Sequence, residues 1–160
     1  MRSDHRGFSL IELLIVVAII LVIAAIAIPN FLRSKMAANQ AAAVASLRVI
    51  GSAEGAYSST YGNGYSASLS VLGPPPSGSI AHFSAAGLID DFLASGVKSG
   101  YSFIYTPTAP DPSGHYNGFT VQANPSQPGQ SGNTYYYMDE NHVIRVNTTS
   151  PASSSDSIMQ

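Results

Sequence analysis

A chain of 160 residues accommodates one ordinary domain, or one membrane element plus one small domain, and excludes a multidomain enzyme. Only 10% of the residues are charged, against roughly 25% in soluble globular domains, so part of the molecule avoids water. Seven Lys plus Arg against nine Asp plus Glu leave a net charge of −2 and no basic field for a nucleic acid, and the lack of Cys excludes disulfides and thiol chemistry.

The chain begins with a short leader, residues 1–7, in which Arg2 and Arg6 outnumber Asp4. A basic excess before an apolar run predicts a cytoplasmic N-terminus, with the rest of the chain outside. From Phe8 to Ile28 only Ser9 and Glu12 interrupt the apolar side chains. As a helix this run reaches about 32 Å, one hydrocarbon core of roughly 30 Å. A secretory signal cut near Ala25-Ile26-Ala27 would leave a secreted binding module. The run is longer than the roughly 7 to 15 residues of such a signal, and it contains a carboxylate that such signals avoid. Glu12 needs a reason, because an Asp at the centre of a spanning helix costs about 2.5–3.5 kcal/mol and a Glu is comparable.

The helical pattern continues past the membrane-length run. Leu32, Met36, Ala43, Leu47, Ile50, Tyr57 and Tyr61 fall at spacings of three, four and seven, one face of a helix. The Ala-rich stretch 37–45 supports the same assignment, since Ala loses least on entering a helix. A helix is therefore expected from residue 8 to about 59, kinked or loosened at Pro29, where a backbone amide is missing. Gly51 and Gly55 weaken its last turns.

Gly7-Phe8-Ser9-Leu10-Ile11-Glu12, continuing apolar to Ile20 and followed by Pro29, resembles the N-terminus of type IV pilins and the related pseudopilins. Four features carry the resemblance: a glycine ending a basic leader, an aromatic next residue, a glutamate five positions beyond the glycine, and a proline seventeen beyond the glutamate. It covers residues 2–61 strongly and the remainder only in layout. The resemblance implies a prepilin held in the inner membrane, cut after Gly7 and methylated on the new Phe8 amine by a prepilin peptidase and methyltransferase. It also implies assembly into a helical filament of identical subunits, together with an assembly platform and minor pilins, serving adhesion or motility outside the cell. Phe8 and Glu12 are then the assembly positions. Physically, a new α-amine at Phe8 lies one turn from Glu12 on the same helix face. Spacing leaves open whether the amine belongs to the same chain; the resemblance implies a neighbour's. Pairing between subunits would set axial register, because an unpaired buried charge is penalised by several kcal/mol.

The second half reads as a compact head. Breakers at 62–65 and 73–78 predict a loop over 61–79 with a short turn around 67–72. A short helix is expected over 82–95 from Phe83, Leu88, Ile89, Phe92 and Leu93. Aromatic and β-branched residues between turn signals predict strands over 100–106, 116–123, 134–138 and 143–147, the last two joined by Asp139-Glu140-Asn141. The expected fold is α+β, a long N-terminal stalk helix against a small four-stranded antiparallel sheet. The expected divisions are leader 1–7, filament-core helix 8–30, amphipathic helix 31–60, head 61–147 and a mobile polar tail 148–160.

Catalysis finds little support, and no enzyme activity, cofactor or metal is expected. The four histidines are scattered without helical ligand spacing, and adjacent Asp90 and Asp91 do not share a helix face. Asp139-Glu140 reads as turn chemistry, and Tyr135-Tyr136-Tyr137 as strand packing. Asn147-Thr148-Thr149 is formally a glycosylation sequon. A pseudopilin of type II secretion, forming a periplasmic pseudopilus, shares the N-terminal segment. Its family pattern carries an acidic calcium loop near the last strands, whereas 127–134 here is free of acids.

Overall fold

The structure, a computed structural model, describes residues 8–159. The expected leader 1–7, with Gly7, lies outside the described residues. Helix α1 runs unbroken over Leu10–Tyr61, with Pro29 inside it. The chain divides into two compact units, Met1–Lys35 and Met36–Gln160.

Among the described residues no side chain packs over the helix in the first unit. Ser9 and Glu12 are the only polar residues from Phe8 to Ile28, and the large apolar side chains along that run are all exposed. This segment is long and apolar enough to cross a membrane.

In the second unit the helix is amphipathic. Ala43, Leu47, Ile50, Glu54 and Tyr57 recur at steps of four and three on a buried face. All but Glu54 share one hydrophobic core with Leu69 and Leu72, with Leu93, and with the inward residues of the sheet. The sheet has six strands in sequential order, β1 (Val97–Lys98), β2 (Tyr101–Pro107), β3 (Phe119–Pro125), β4 (Tyr135–Asp139), β5 (Ile144–Asn147) and β6 (Ser157–Ile158). Every neighbouring pair is antiparallel. Alternation is clean on β3, where Phe119, Val121, Ala123 and Pro125 face inward. The α+β architecture expected from the sequence is thus present, with six strands instead of four.

Three local expectations are corrected. The helix expected over 82–95 is confined to α3, Asp91–Ala94, with Asp90 capping it through Leu93 N–H at 3.1 Å. The residues before it spend their amides elsewhere. Ala86, Gly87, Leu88 and Ile89 donate to the carbonyls of Val71, Gly73 and Leu72, around the short helix α2 (Leu69–Leu72). The strand expected from Tyr116 begins at Phe119, because the Tyr116 carbonyl instead accepts from Tyr65 N–H at 2.8 Å. The tail expected to be mobile folds back as β6 against β5, with Ala152 fully buried. Asp156 organises that return. Its carboxylate accepts from Ser153 N–H at 2.7 Å and from the Asn147 amide at 2.9 Å, while its carbonyl accepts from Arg145. The Ser153 backbone N–H, followed by its hydroxyl, holds the Asp156 carboxyl below the usual carboxylate range.

Candidate functional site

The N-terminal candidates occupy the entry to α1. Phe8 precedes the helix and is 84% exposed. Ser9 is the N-cap. Its N–H donates to Glu12 Oε2 at 2.9 Å, and Glu12 N–H donates to Ser9 Oγ at 3.2 Å. This reciprocal pair is a capping box, which satisfies two of the free amides at the start of the helix. Glu12 also places a carboxylate in the first turn, where the helix dipole favours negative charge. The sequence signal was Ser-x-x-Glu just before the apolar run, a second reason for Glu12 beside the amine of Phe8. In the uncut chain the carboxylate is engaged one residue beyond Phe8. Pro29 sits in unbroken helix between Ile28 and Asn30.

A second carboxylate on the same helix is buried in the head. Glu54 has no exposed surface, and Ser66 answers both of its oxygens, with N–H to Oε2 at 2.9 Å and Oγ to Oε1 at 2.5 Å. Tyr105 donates to the Ser66 carbonyl at 2.9 Å. Burial pushes the Tyr105 hydroxyl above its ordinary range, and the Glu54 carboxylate adds to that shift. Tyr57 is raised by the same two causes in the same order, with a further contribution from Tyr61. Sequence reasoning passed over Glu54. The signal was its position on the stripe of Ala43, Leu47, Ile50 and Tyr57.

The other polar candidates serve the fold. Asp90 caps α3 and pairs with Lys98 at 2.6 Å. Asp139 accepts from Asn141 N–H at 3.0 Å in the β4–β5 turn. The Asn147 side chain accepts from Thr149 and donates to Asp156, so the sequon amide is already engaged. Tyr136 is buried, with its ring centroid 6.0 Å from that of Tyr101. Among the described residues no group of three or more His, Asp or Glu is placed to hold a metal ion.

A cleft of about 440 Å³ lies in the head between the end of α1, the loop after it and the β2–β3 connection. Tyr57, Tyr65, Phe83 and Tyr116 line it. Gly64 lets two of its walls meet. Its φ is +73°, and a Cβ there would collide with the Tyr116 carbonyl oxygen.

The N-terminal segment is similar to known proteins. Residues 2–28 match the family described as the prokaryotic N-terminal methylation motif. The type IV major pilin protein PilA of Myxococcus xanthus (strain DK1622) is 50% identical over 50 residues, 31% of this chain. The matched stretch covers 23% of that relative, so the chain spans about a quarter of its length. No solved structure matches.

Proposed function

We propose, from the premise that this chain is a type IV pilin by its N-terminal motif, that it is a structural subunit of a type IV pilus-like filament. It enters the inner membrane as a prepilin, is cut between Gly7 and Phe8, is methylated at Phe8, and polymerises through the apolar half of α1. The observation that carries this reading is the bare apolar surface of that half. Water-exposed apolar surface on this scale marks a partner, either lipid or protein. Lipid serves before assembly, and the same segment of neighbouring subunits serves after it. Glu12 is then the one charge in the run, and it pairs with the Phe8 amine of a neighbour in the filament, exchanging its bond to the neutral Ser9 N–H for an ion pair.

Loop 127–134 supports a pilin over a pseudopilin. It is free of acids and closes on itself, with Ser131 Oγ bonding both the N–H and the carbonyl of Gln127.

Terminal sequencing of surface filaments tests the reading. The expected mature N-terminus is methylated Phe8, and Gly7→Val leaves the leader attached. Glu12→Val inserts at least as well as the parent, since it removes a carboxylate from the apolar run, yet yields few or no filaments. Filaments whose subunits retain Met1, or normal filament numbers with Glu12→Val, contradict it.

A further inference from the structure

The aromatic cleft of the head plays no part in the function proposed above. Its volume of about 440 Å³ lies within the range of roughly 300–1,000 Å³ of small-molecule sites. Each wall is held in place independently. Tyr57 donates its hydroxyl to the Phe83 carbonyl at 2.7 Å, which ties the 79–90 segment to α1. Tyr65 N–H reaches the Tyr116 carbonyl at 2.8 Å, which ties the loop after α1 to the β2–β3 connection. Within that connection Asp111 accepts from Ser113 N–H at 2.8 Å and from His115 N–H at 3.0 Å. Tyr65 is further seated edge-on against Phe119, with ring centroids 5.0 Å apart. A cleft pinned on three sides loses little freedom when a ligand enters.

The lining also selects a chemistry. It is lined by the aromatic side chains of Tyr57, Tyr65, Phe83 and Tyr116 together with the polar side chains of Asn63, Ser84, Ser113 and His115, and contains no Asp, Glu, Lys or Arg. The absence of Lys and Arg disfavours a phosphate-bearing ligand, and the absence of Asp and Glu leaves a cation only the ring faces. Within the described residues the side chains of Asn63, Ser113 and His115 and the hydroxyls of Tyr65 and Tyr116 make no hydrogen bonds. Aromatic rings beside unused donors and acceptors suit a ligand with one apolar face and a rim of hydroxyls. The geometry points to a neutral pyranose, its C–H face on the Tyr65, Tyr116 and Phe83 side of the cleft and its hydroxyls toward Asn63 and His115. This site is independent of the filament reading, because all its residues lie in the second unit.

The test uses the full chain, unassembled, in a sugar-free oligo-oxyethylene detergent. Methyl β-D-glucopyranoside, methyl β-D-galactopyranoside, N-acetylglucosamine and cellobiose are the probes, with glucose 6-phosphate, choline chloride and adenosine for the competing chemistries. Saturation-transfer NMR and titration calorimetry read the binding. At least one neutral glycoside binds with a Kd on the order of 1 mM or below, with saturation concentrated on its ring C–H protons. The phosphorylated sugar binds no tighter than its neutral counterpart. Phe83→Ala and His115→Ala each weaken the best probe by about 3- to 10-fold without moving the unfolding midpoint, since Phe83 is 61% exposed and His115 is held through its backbone. Cellobiose no tighter than the glucoside means a single ring, free or at a chain end; tighter binding means the interior of a chain. The proposal is overturned if no neutral sugar in the panel binds, if both variants bind like the parent, or if adenosine or choline occupies the cleft while the sugars do not.

Discussion

Helix α1 carries two carboxylates on apolar faces, and the two halves of the helix treat them differently. Glu54 lies in the amphipathic half, where every neighbour it needs is present: Ser66 bonds both oxygens, and the sheet and loops close over it. Glu12 lies in the half over which no side chain packs among the described residues, and its local partner Ser9 is itself exposed. A buried carboxyl group with its partners in place is a completed piece of the fold. A charge amid bare apolar surface has only its local partner, and under the proposed function its second partner is the amine of a neighbouring subunit. This contrast is also why the assembly reading rests on the first unit and the sugar reading on the second.

The largest effect should come from breaking the completed site. Glu54→Ala leaves the buried Ser66 N–H without its acceptor, reduces Ser66 Oγ to its weaker bond to the Ser68 carbonyl at 3.1 Å, and opens a cavity beside it. Denaturant unfolding of the full chain in detergent should show the head destabilised by about 2–4 kcal/mol. Glu12→Ala should leave the head midpoint unchanged. Equal losses from the two variants would dissolve the distinction between them.

Gly64→Ala should come next. The new methyl must enter a left-handed conformation and meets a backbone carbonyl, so the head should lose about 1–3 kcal/mol and the aromatic cleft should open. Gly62→Ala is the control, since its φ is +66° but nothing lies within 4 Å of the added carbon. It should cost less, and a loss matching that of Gly64→Ala would show that close approach adds nothing.

Alkaline pH separates the halves without mutation. All nine tyrosines lie in the second unit. Burial raises the hydroxyls of Tyr101 and Tyr105, with the neighbouring phenol of Tyr136 and the carboxylate of Glu54 adding respectively. A group whose pKa is higher folded than unfolded contributes stability below its unfolded pKa, and loses it as pH rises beyond that value. Above about pH 10 the near-ultraviolet dichroism of the head should therefore collapse while helical signal from the first unit persists in detergent. Loss of both signals together would count against independent halves.

The smallest effect is expected at the helix start. Ser9→Ala removes one side of the capping box and should cost about 0.5–2 kcal/mol of local helix stability, read as faster amide exchange over residues 9–13 alone. Exchange that spreads into the head would show that the entry to α1 is coupled to the second unit.

How much of this was legible follows the distance over which each feature is decided. Helix α1 and the four strands β2 to β5 were readable, since an apolar run, a repeat of three and four, and β-branched or aromatic stretches between turns act within a few residues. The capping box was equally local, a Ser and a Glu three apart, and went unread beside the question of the Phe8 amine. The short strands β1 and β6 have two residues each, too few to carry a pattern of their own. They exist because β2 and β5 offer free edges to pair with.

By itself the sequence determined the membrane-length helix, the prepilin-type N-terminus and the α+β class, because periodicity and motif spacing are properties of neighbouring residues. Only the tertiary structure decided that 82–95 yields its amides to α2, that the polar C-terminal segment buries Ala152 and adds a strand, and that Glu54 is held by Ser66. Each depends on a backbone or side-chain partner twelve or more residues away, or on burial that several elements create together. A hydrogen bond of that kind has no period, so the residues that make it look the same in sequence as residues left in solvent.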